Sequence, residues 1–401
     1  MHIIQKEIKI IKDLMGIDEC GLFSFPVRYG IYHQVEIYDL VLHFSPSWRL
    51  THIQSKNQAW PHPLEWIKIG LGGTKIYYSA IAYGDIAALF QQHYIPICET
   101  YPQIAPYENP FKLKIVKDVI RKTDNLPYIF KNYGFNEIAN GLFNWRNFYI
   151  NGIFKLLKSK VSILPPDTMI CDYQVLPVVI STGCLHNCGF CTVKDGTEFK
   201  KRKIKDIIEE LEGLKDIFAK DLSQIKGVFL GNLDSLHCED ELIFKVIYES
   251  KRVFPKIKNF FLFGSVTSFL KKKESFFKEL ENLSSNFFIN IGIESLDEDT
   301  IRLLKKPETQ KDIINTWHRI SYLNKKFLSS EITVNILISE KFKNAHLDKL
   351  INTLSRESSF PKGTIYLSSL NEPYKRVHFE MAKKIKMATS RDVRLYPLVT
   401  I

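Results

Sequence analysis

The sequence predicts an α/β protein: a partial (β/α)6 TIM-like barrel preceded by an N-terminal α+β domain. Three observations carry this reading. From about residue 174 onward, short apolar runs alternate with amphipathic stretches. The first of those runs leads straight into a cysteine-rich loop. Residues 1–170 have a different texture, with Trp48, Trp60, Trp66 and Trp145 and a proline-rich middle. The expected domains are 1–170, for substrate recognition or as a cover over the barrel mouth, and 171–401, the barrel with a C-terminal extension.

In the N-terminal region, 35–44 and 75–83 read as strands. Pro96, Pro102, Pro106 and Pro110 mark a long irregular connection. Residues 113–121 and 137–157 read as helical, and Pro165 and Pro166 as a linker into the first barrel strand. The glycines of 70–73 look faintly like a phosphate loop but lack the strand and helix that would frame one, so they read as a hairpin turn.

The barrel strands are expected at 176–180, 227–230, 260–263, 287–293, 332–338 and 364–367. Each is rich in Val, Ile, Leu and Phe on both faces, as strands of a buried parallel sheet are. Between them, Ile204, Ile207, Ile208, Leu211, Leu214, Phe218 and Leu222 recur at three and four, as one face of a helix does. Leu242 to Val253 repeat that spacing less cleanly, and Ile313, Ile314, Trp317, Ile320 and Leu323 give a third face. Alternating units of this kind build a parallel sheet with right-handed crossovers. A full barrel takes about 250 residues, and the roughly 225 that remain here favour a partial one over a closed one. A flat doubly wound sheet is the competing arrangement.

Composition sets the outer limits. The 401 residues are 45% hydrophobic and 25% charged, which excludes disorder as the main state. No apolar stretch approaches the roughly 20 residues that span a bilayer, and the first residues lack a secretory apolar core, so the chain reads as cytoplasmic. The net charge of +11 permits an anionic cofactor, an acidic partner or nucleic acid, and no appended RNA-binding module is evident.

The seven cysteines are an odd, scattered set and not a disulfide framework. Three of them, Cys184, Cys188 and Cys191, lie in C-x3-C-x2-C spacing directly after an apolar strand. Three thiolates on one tight loop can grip three irons of an iron–sulfur cube and leave the fourth iron open to a small molecule. A structural zinc site is the alternative and needs a fourth ligand, which His186 or Cys171 could supply. Cys20, Cys98 and Cys171 are too dispersed for a second cluster.

Cys184, Cys188, Phe190 and Cys191 resemble the C-x3-C-x-aromatic-C hallmark of the radical SAM superfamily, on the loop after the first barrel strand. The resemblance covers roughly 175–370. It implies a 4Fe-4S cluster whose open iron binds the amino and carboxylate groups of S-adenosylmethionine. It also implies reductive cleavage to a 5′-deoxyadenosyl radical, which abstracts hydrogen from a substrate. In the family a Gly-Gly-Glu-like stretch after the second strand meets the methionine ammonium; here Gly231, Asn232 and Asp234 stand in that place. Ser265 ends the third strand, and Asn335 lies on the fifth, where the family's adenine contact falls. Ile291, Gly292, Ile293, Glu294 and Ser295 resemble the family's Gly-x-Glu-Ser stretch and imply Glu294 as the ribose carboxylate.

Cys238, after the second strand, is a candidate hydrogen donor to a substrate radical; a buried inert cysteine is the plainer reading. The basic run Lys200, Lys201, Arg202, Lys203 and Lys205 reads as a solvated helix start, or as a dock for an acidic electron donor such as a flavodoxin or ferredoxin. No cobalamin motif is found. Two alternatives stay open: a radical SAM enzyme acting on RNA, and a non-catalytic iron–sulfur or zinc protein.

Anaerobically purified protein should hold about four irons and four sulfides per chain. Cys184→Ala, Cys188→Ala and Cys191→Ala should each abolish them, while Cys20→Ala and Cys98→Ala should not. Stoichiometric zinc without sulfide, by elemental analysis, contradicts this.

Overall fold

The computed structural model describes residues 2–5, 8–16, 30–55, 66–71, 75–78, 121–148, 152–159, 161, 163–171, 173–191, 198–357, 362–370 and 376–396. Cys20, Cys98, Trp60, Gly72, Gly73, the four prolines of 96–110, all but the last residue of the helix expected at 113–121 and the end of the strand expected at 75–83 lie outside them.

The N-terminal part is an antiparallel meander of seven strands in chain order, β1 (His2–Gln5), β2 (Ile8–Gly16), β3 (Gly30–Ile37), β4 (Leu40–Phe44), β5 (Leu50–Ser55), β6 (Trp66–Ile69) and β7 (Lys75–Tyr78). The single strand expected at 35–44 is a hairpin. Tyr38 turns the chain at φ 52° and Ile37 pairs with Leu40. Helices α1 (Leu126–Asn132) and α2 (Asn136–Asn147) follow, and their Leu126, Phe130, Ile138 and Leu142 share a core with Val35, Leu42, Phe44 and Ile53. The expected helix 137–157 is two helices, α2 and a short α3 (Ile153–Leu157).

The second part opens with β8 (Gln174–Val179), followed by a two-stranded ribbon of β9 (Ser181–Thr182) and β10 (Lys200–Lys201). Then come α4 (Ile204–Ile217), β11 (Ile225–Gly231), α5 (Asp240–Val253), β12 (Asn259–Ser265), α6 (Val266–Lys271), α7 (Glu274–Asn282) and β13 (Asn286–Glu294). The remainder is α8 (Glu298–Leu303), α9 (Gln310–Lys326), β14 (Ser330–Ile338), α10 (Asn344–Ser355), β15 (Ile365–Ser369), α11 (Arg376–Met387) and β16 (Val393–Leu395). Strands β8 and β11 to β16 form one all-parallel sheet in chain order, open between β8 and β16. The partial-barrel reading therefore holds with one addition: β15 is not the last strand, because β16 pairs outside it, Ile365 against Val393. Three residues with an arginine at the centre are too short and too polar to read as a buried strand. The sheet is packed by aromatic pairs across strands, Phe260 on Phe287 and Phe261 on Phe288, with ring centroids 5.5 and 5.1 Å apart. Among the described residues no helix is long and apolar enough to cross a membrane.

The N-terminal sheet docks at the N-terminal ends of the barrel strands. Fully buried Arg49 donates from Nε to Asp221 at 3.2 Å, and the same carboxylate accepts from the backbone and hydroxyl of Ser47. Lys68 Nζ donates to the carbonyls of Cys171 and Tyr173, at the start of β8. The described residues of the N-terminal sheet thus sit at the end opposite the mouth, and the expectation of a cover over the mouth is not met by that sheet.

The expected linker is a plug inside the barrel. Residues on alternate positions of a strand share a face, so Thr333, Asn335, Tyr366 and Ser368 form an inward row. Asp167 accepts from Thr333 Oγ1 at 3.1 Å and from Tyr366 Oη at 3.0 Å. Upstream, Leu164 O accepts from Tyr396 Oη at 2.5 Å, and Pro165 and Pro166 are buried. The chain enters near the C-terminal strand ends, where Ser159 Oγ accepts from Asn232, and leaves at Cys171 by their N-terminal ends. Two prolines suit the plug because it has no ladder to donate to.

Burial, and secondarily the Glu331 carboxylate, pushes the Asp167 carboxyl up to about 7. The folded state then holds a proton that the unfolded chain releases near pH 4. Stability from this group is full below that pH, falls as pH rises, and levels off once pH passes about 7. Denaturant titrations across pH 5–8 should show a shallower fall in Asp167→Asn than in the wild type. Parallel curves would contradict the assignment.

Candidate active site

The cysteine loop is held from both sides. At the end of β8, Ile180 N donates to Gly231 O at 2.6 Å, and Arg202 N donates to Ile180 O at 2.9 Å. The Arg202 guanidinium donates to Val179 O at 2.8 Å and pairs with the buried Glu210 carboxylate, which also accepts from Val179 N. Burial pushes Glu210 up to about 7, against the pull of Arg202. Gly183 turns the chain into the loop at φ 67°, a conformation open to glycine at no steric cost. On the far side Gly189 N donates to Leu304 O at 3.0 Å. A methyl group on Gly189 would stand 3.2 Å from the Lys305 side chain, a tight contact to which the lysine would have to yield.

Cys184, Cys188 and Cys191 face a cavity of about 220 Å³ at the C-terminal strand ends. Burial pushes the Cys184 thiol up and that of Cys188 up to about 11. Thiols in such a setting ionise when a metal takes the proton's place. Among the described residues no three His, Cys, Asp or Glu side chains converge on a single-ion site. Three cysteines on one loop can serve as the donor set of a cluster, where each sulfur holds its own iron.

The same cavity is lined by Phe190, Asp234, Ser265, Glu294 and Asn335. The structure therefore brings together eight of the expected site residues. Gly231, Asn232 and Cys238 do not line it. Gly231 is occupied in the ladder beneath, and Asn232 reaches toward Ser159. Cys238 is 1% exposed at the end of a 3₁₀ turn, and burial pushes its thiol up to about 12. At that place it packs the core, and the hydrogen-donor expectation goes no further.

Asp234 is engaged already. Its Oδ1 accepts from Ser265 N, and its Oδ2 accepts from the hydroxyls of Ser265 and Ser268 at 2.9 and 2.7 Å. It fastens the loop after β11 to the start of α6, where Ser265 is the N-cap. Glu294 ends β13 at φ 65°, and its Oε2 accepts from Asn335 Nδ2 at 3.0 Å. Asn335 in turn accepts from Ser368 Oγ. Gly292 leaves room for this arrangement, since a Cβ there would lie 2.6 Å from Glu294 Oε1. Burial pushes Glu294 up to about 7, with Lys306 pulling it down.

Sequence reasoning missed Lys306 and Glu308, both buried in the cavity wall after α8. Glu308 Oε1 accepts from the backbone and hydroxyl of Thr267, and His186 Nε2 lies 3.7 Å from it. The signal was two charged residues flanking Pro307, in a loop that the spacing of apolar residues could not place.

The structure places a loop of three cysteines at the C-terminal mouth of a parallel partial barrel, facing buried carboxylates. Residues 178–354 match the family model of the radical SAM superfamily, so this part of the chain is a radical SAM domain. No curated protein matches the chain. Solved structures to which the chain is similar include three enzymes. A methylornithine synthase has 10% identity over 55% of this chain and 63% of its own, with a TM-score of 0.37. An N-terminally truncated Elp3 of Methanocaldococcus infernus has 11% over 55% and 56%, with a TM-score of 0.31. SuiB of Streptococcus suis, bound to S-adenosylmethionine, has 12% over 90% and 71%, with a TM-score of 0.35. The chain spans less than two thirds of the first two.

Proposed function

We propose that the protein binds a 4Fe-4S cluster through Cys184, Cys188 and Cys191 and uses it to cleave S-adenosylmethionine reductively. The observation that carries this is that the three cysteines and Glu294 open into one cavity at the strand ends. The residues fit such a load: the thiols are the donor set, and two buried polar atoms beside them, His186 Nε2 and Glu308 Oε2, have no hydrogen-bond partner within the chain. When bound, the cluster supplies one electron to the sulfonium and so a 5′-deoxyadenosyl radical, which takes hydrogen from a substrate.

The chain's own residues supply the positioning. Glu294, fixed by Asn335 on Oε2, offers a carboxylate to the ribose hydroxyls. Phe190 is the apolar wall beside the cysteines. Asp234 and Ser265 shape the opposite rim through their mutual hydrogen bonds. His186 N donates to Cys184 Sγ at 3.5 Å, a contact that favours a thiolate over a thiol there.

The electron donor fits as an acidic flavodoxin or ferredoxin. Exposed Lys200 and Lys203 flank the ribbon that carries the loop, and Leu185 on the loop itself is 43% exposed. Opposite charge of this kind steers encounter and leaves a salt-dependent rate.

With dithionite, cluster-loaded protein should release 5′-deoxyadenosine and methionine, slowly in the absence of substrate, as read by chromatography. Glu294→Ala should raise the S-adenosylmethionine concentration required by roughly 10-fold, the weight of a charge-assisted hydrogen bond, with iron content unchanged. Loaded protein that releases no 5′-deoxyadenosine disproves the proposal.

A further inference from the structure

The amino-acid end of S-adenosylmethionine needs an acceptor for its ammonium and a donor for its carboxylate. Residues after the second barrel strand are the expected acceptor, and in this chain one is engaged and the other lies elsewhere. Asp234 already holds three donors from Ser265 and Ser268, and Asn232 lies outside the cavity wall. Glu294 is committed through Oε2 to Asn335. Of the carboxylates lining the cavity among the described residues, Glu308 is left. Its Oε1 is satisfied by Thr267, while its Oε2 is buried without a hydrogen-bond partner.

Its neighbour completes a receptor. Lys306 Nζ stands 3.6 Å from Glu308 Oε2, beyond hydrogen-bond reach, and donates to Gly292 O at 2.9 Å instead. A lysine has three N–H donors, so this leaves donors to spare. The side chains of Lys306 and Glu308 are 5% and 3% exposed. Burying two opposite charges that fall short of a hydrogen bond is unfavourable in isolation. It becomes favourable when a zwitterion bridges them. Gly189 of the cysteine loop donates to Leu304 O, two residues before Lys306, so the pair stands beside the loop that would carry the open iron.

We propose that Glu308 receives the α-ammonium, and Lys306 the α-carboxylate, of S-adenosylmethionine, in place of the residues after the second strand. This rests on the function proposed above and assigns its amino-acid subsite.

The test is a ligand-by-variant cycle on cluster-loaded protein, with affinity read by calorimetry and by the change in the reduced cluster's paramagnetic spectrum. The probes are S-adenosylmethionine, its des-amino analogue and its decarboxylated analogue. The wild type should bind each analogue roughly 10- to 100-fold more weakly than the parent. Glu308→Gln should erase the des-amino penalty to within about 3-fold and keep the decarboxylation penalty, and Lys306→Gln should do the reverse. The two arms are independent, so loss of cluster in one variant leaves the other to decide. A wild type that binds S-adenosylmethionine while both variants keep both penalties overturns this assignment alone. A loaded wild type that binds none of the probes overturns the parent reading and this one with it.

Discussion

The mouth of this barrel depends on one buried ion pair. Arg202, from the ribbon strand that follows the cysteine loop, and Glu210, from the helix that follows the ribbon, grip the last peptide of β8 between them. That grip fixes the strand end from which the loop departs. Removing one partner of such a pair leaves a buried charge unmatched, at a cost of about 3–5 kcal/mol. The three cysteines are therefore positioned by a contact none of them makes, as ligand geometry often is.

A second constraint follows from the sheet being open. Seven parallel strands that do not close leave a concave interior that side chains alone do not fill. The segment before β8 fills it, with Asp167 pinned to β14 and β15 and Leu164 pinned by Tyr396. The cavity is thereby confined to the C-terminal half, where Ile163 of the plug faces the cysteines' side.

What was legible in the sequence is what rests on local pattern. The cysteine loop was legible because its three cysteines lie within eight residues, and Glu294 because residues 291–295 resemble the family's Gly-x-Glu-Ser stretch. The plug was not: two prolines before a strand look the same whether the chain runs through solvent or through a barrel. Lys306 and Glu308 were not, because a buried charge in a loop differs from a solvated one only through tertiary neighbours. Asp234 was read as a ligand from its place after β11, yet Ser268, on a helix 34 residues away, is what commits it. Of the two readings of Cys238, hydrogen donor or buried inert cysteine, the 3₁₀ turn that carries it into the core agrees with the second.

Electron paramagnetic resonance of the reduced, anaerobic protein tests the central claim most directly. One cluster signal per chain is expected, and its shape should change when S-adenosylmethionine is added, because a ligand on the open iron alters its electronic surroundings. A protein with no cluster signal, or with one that S-adenosylmethionine leaves untouched, contradicts the account.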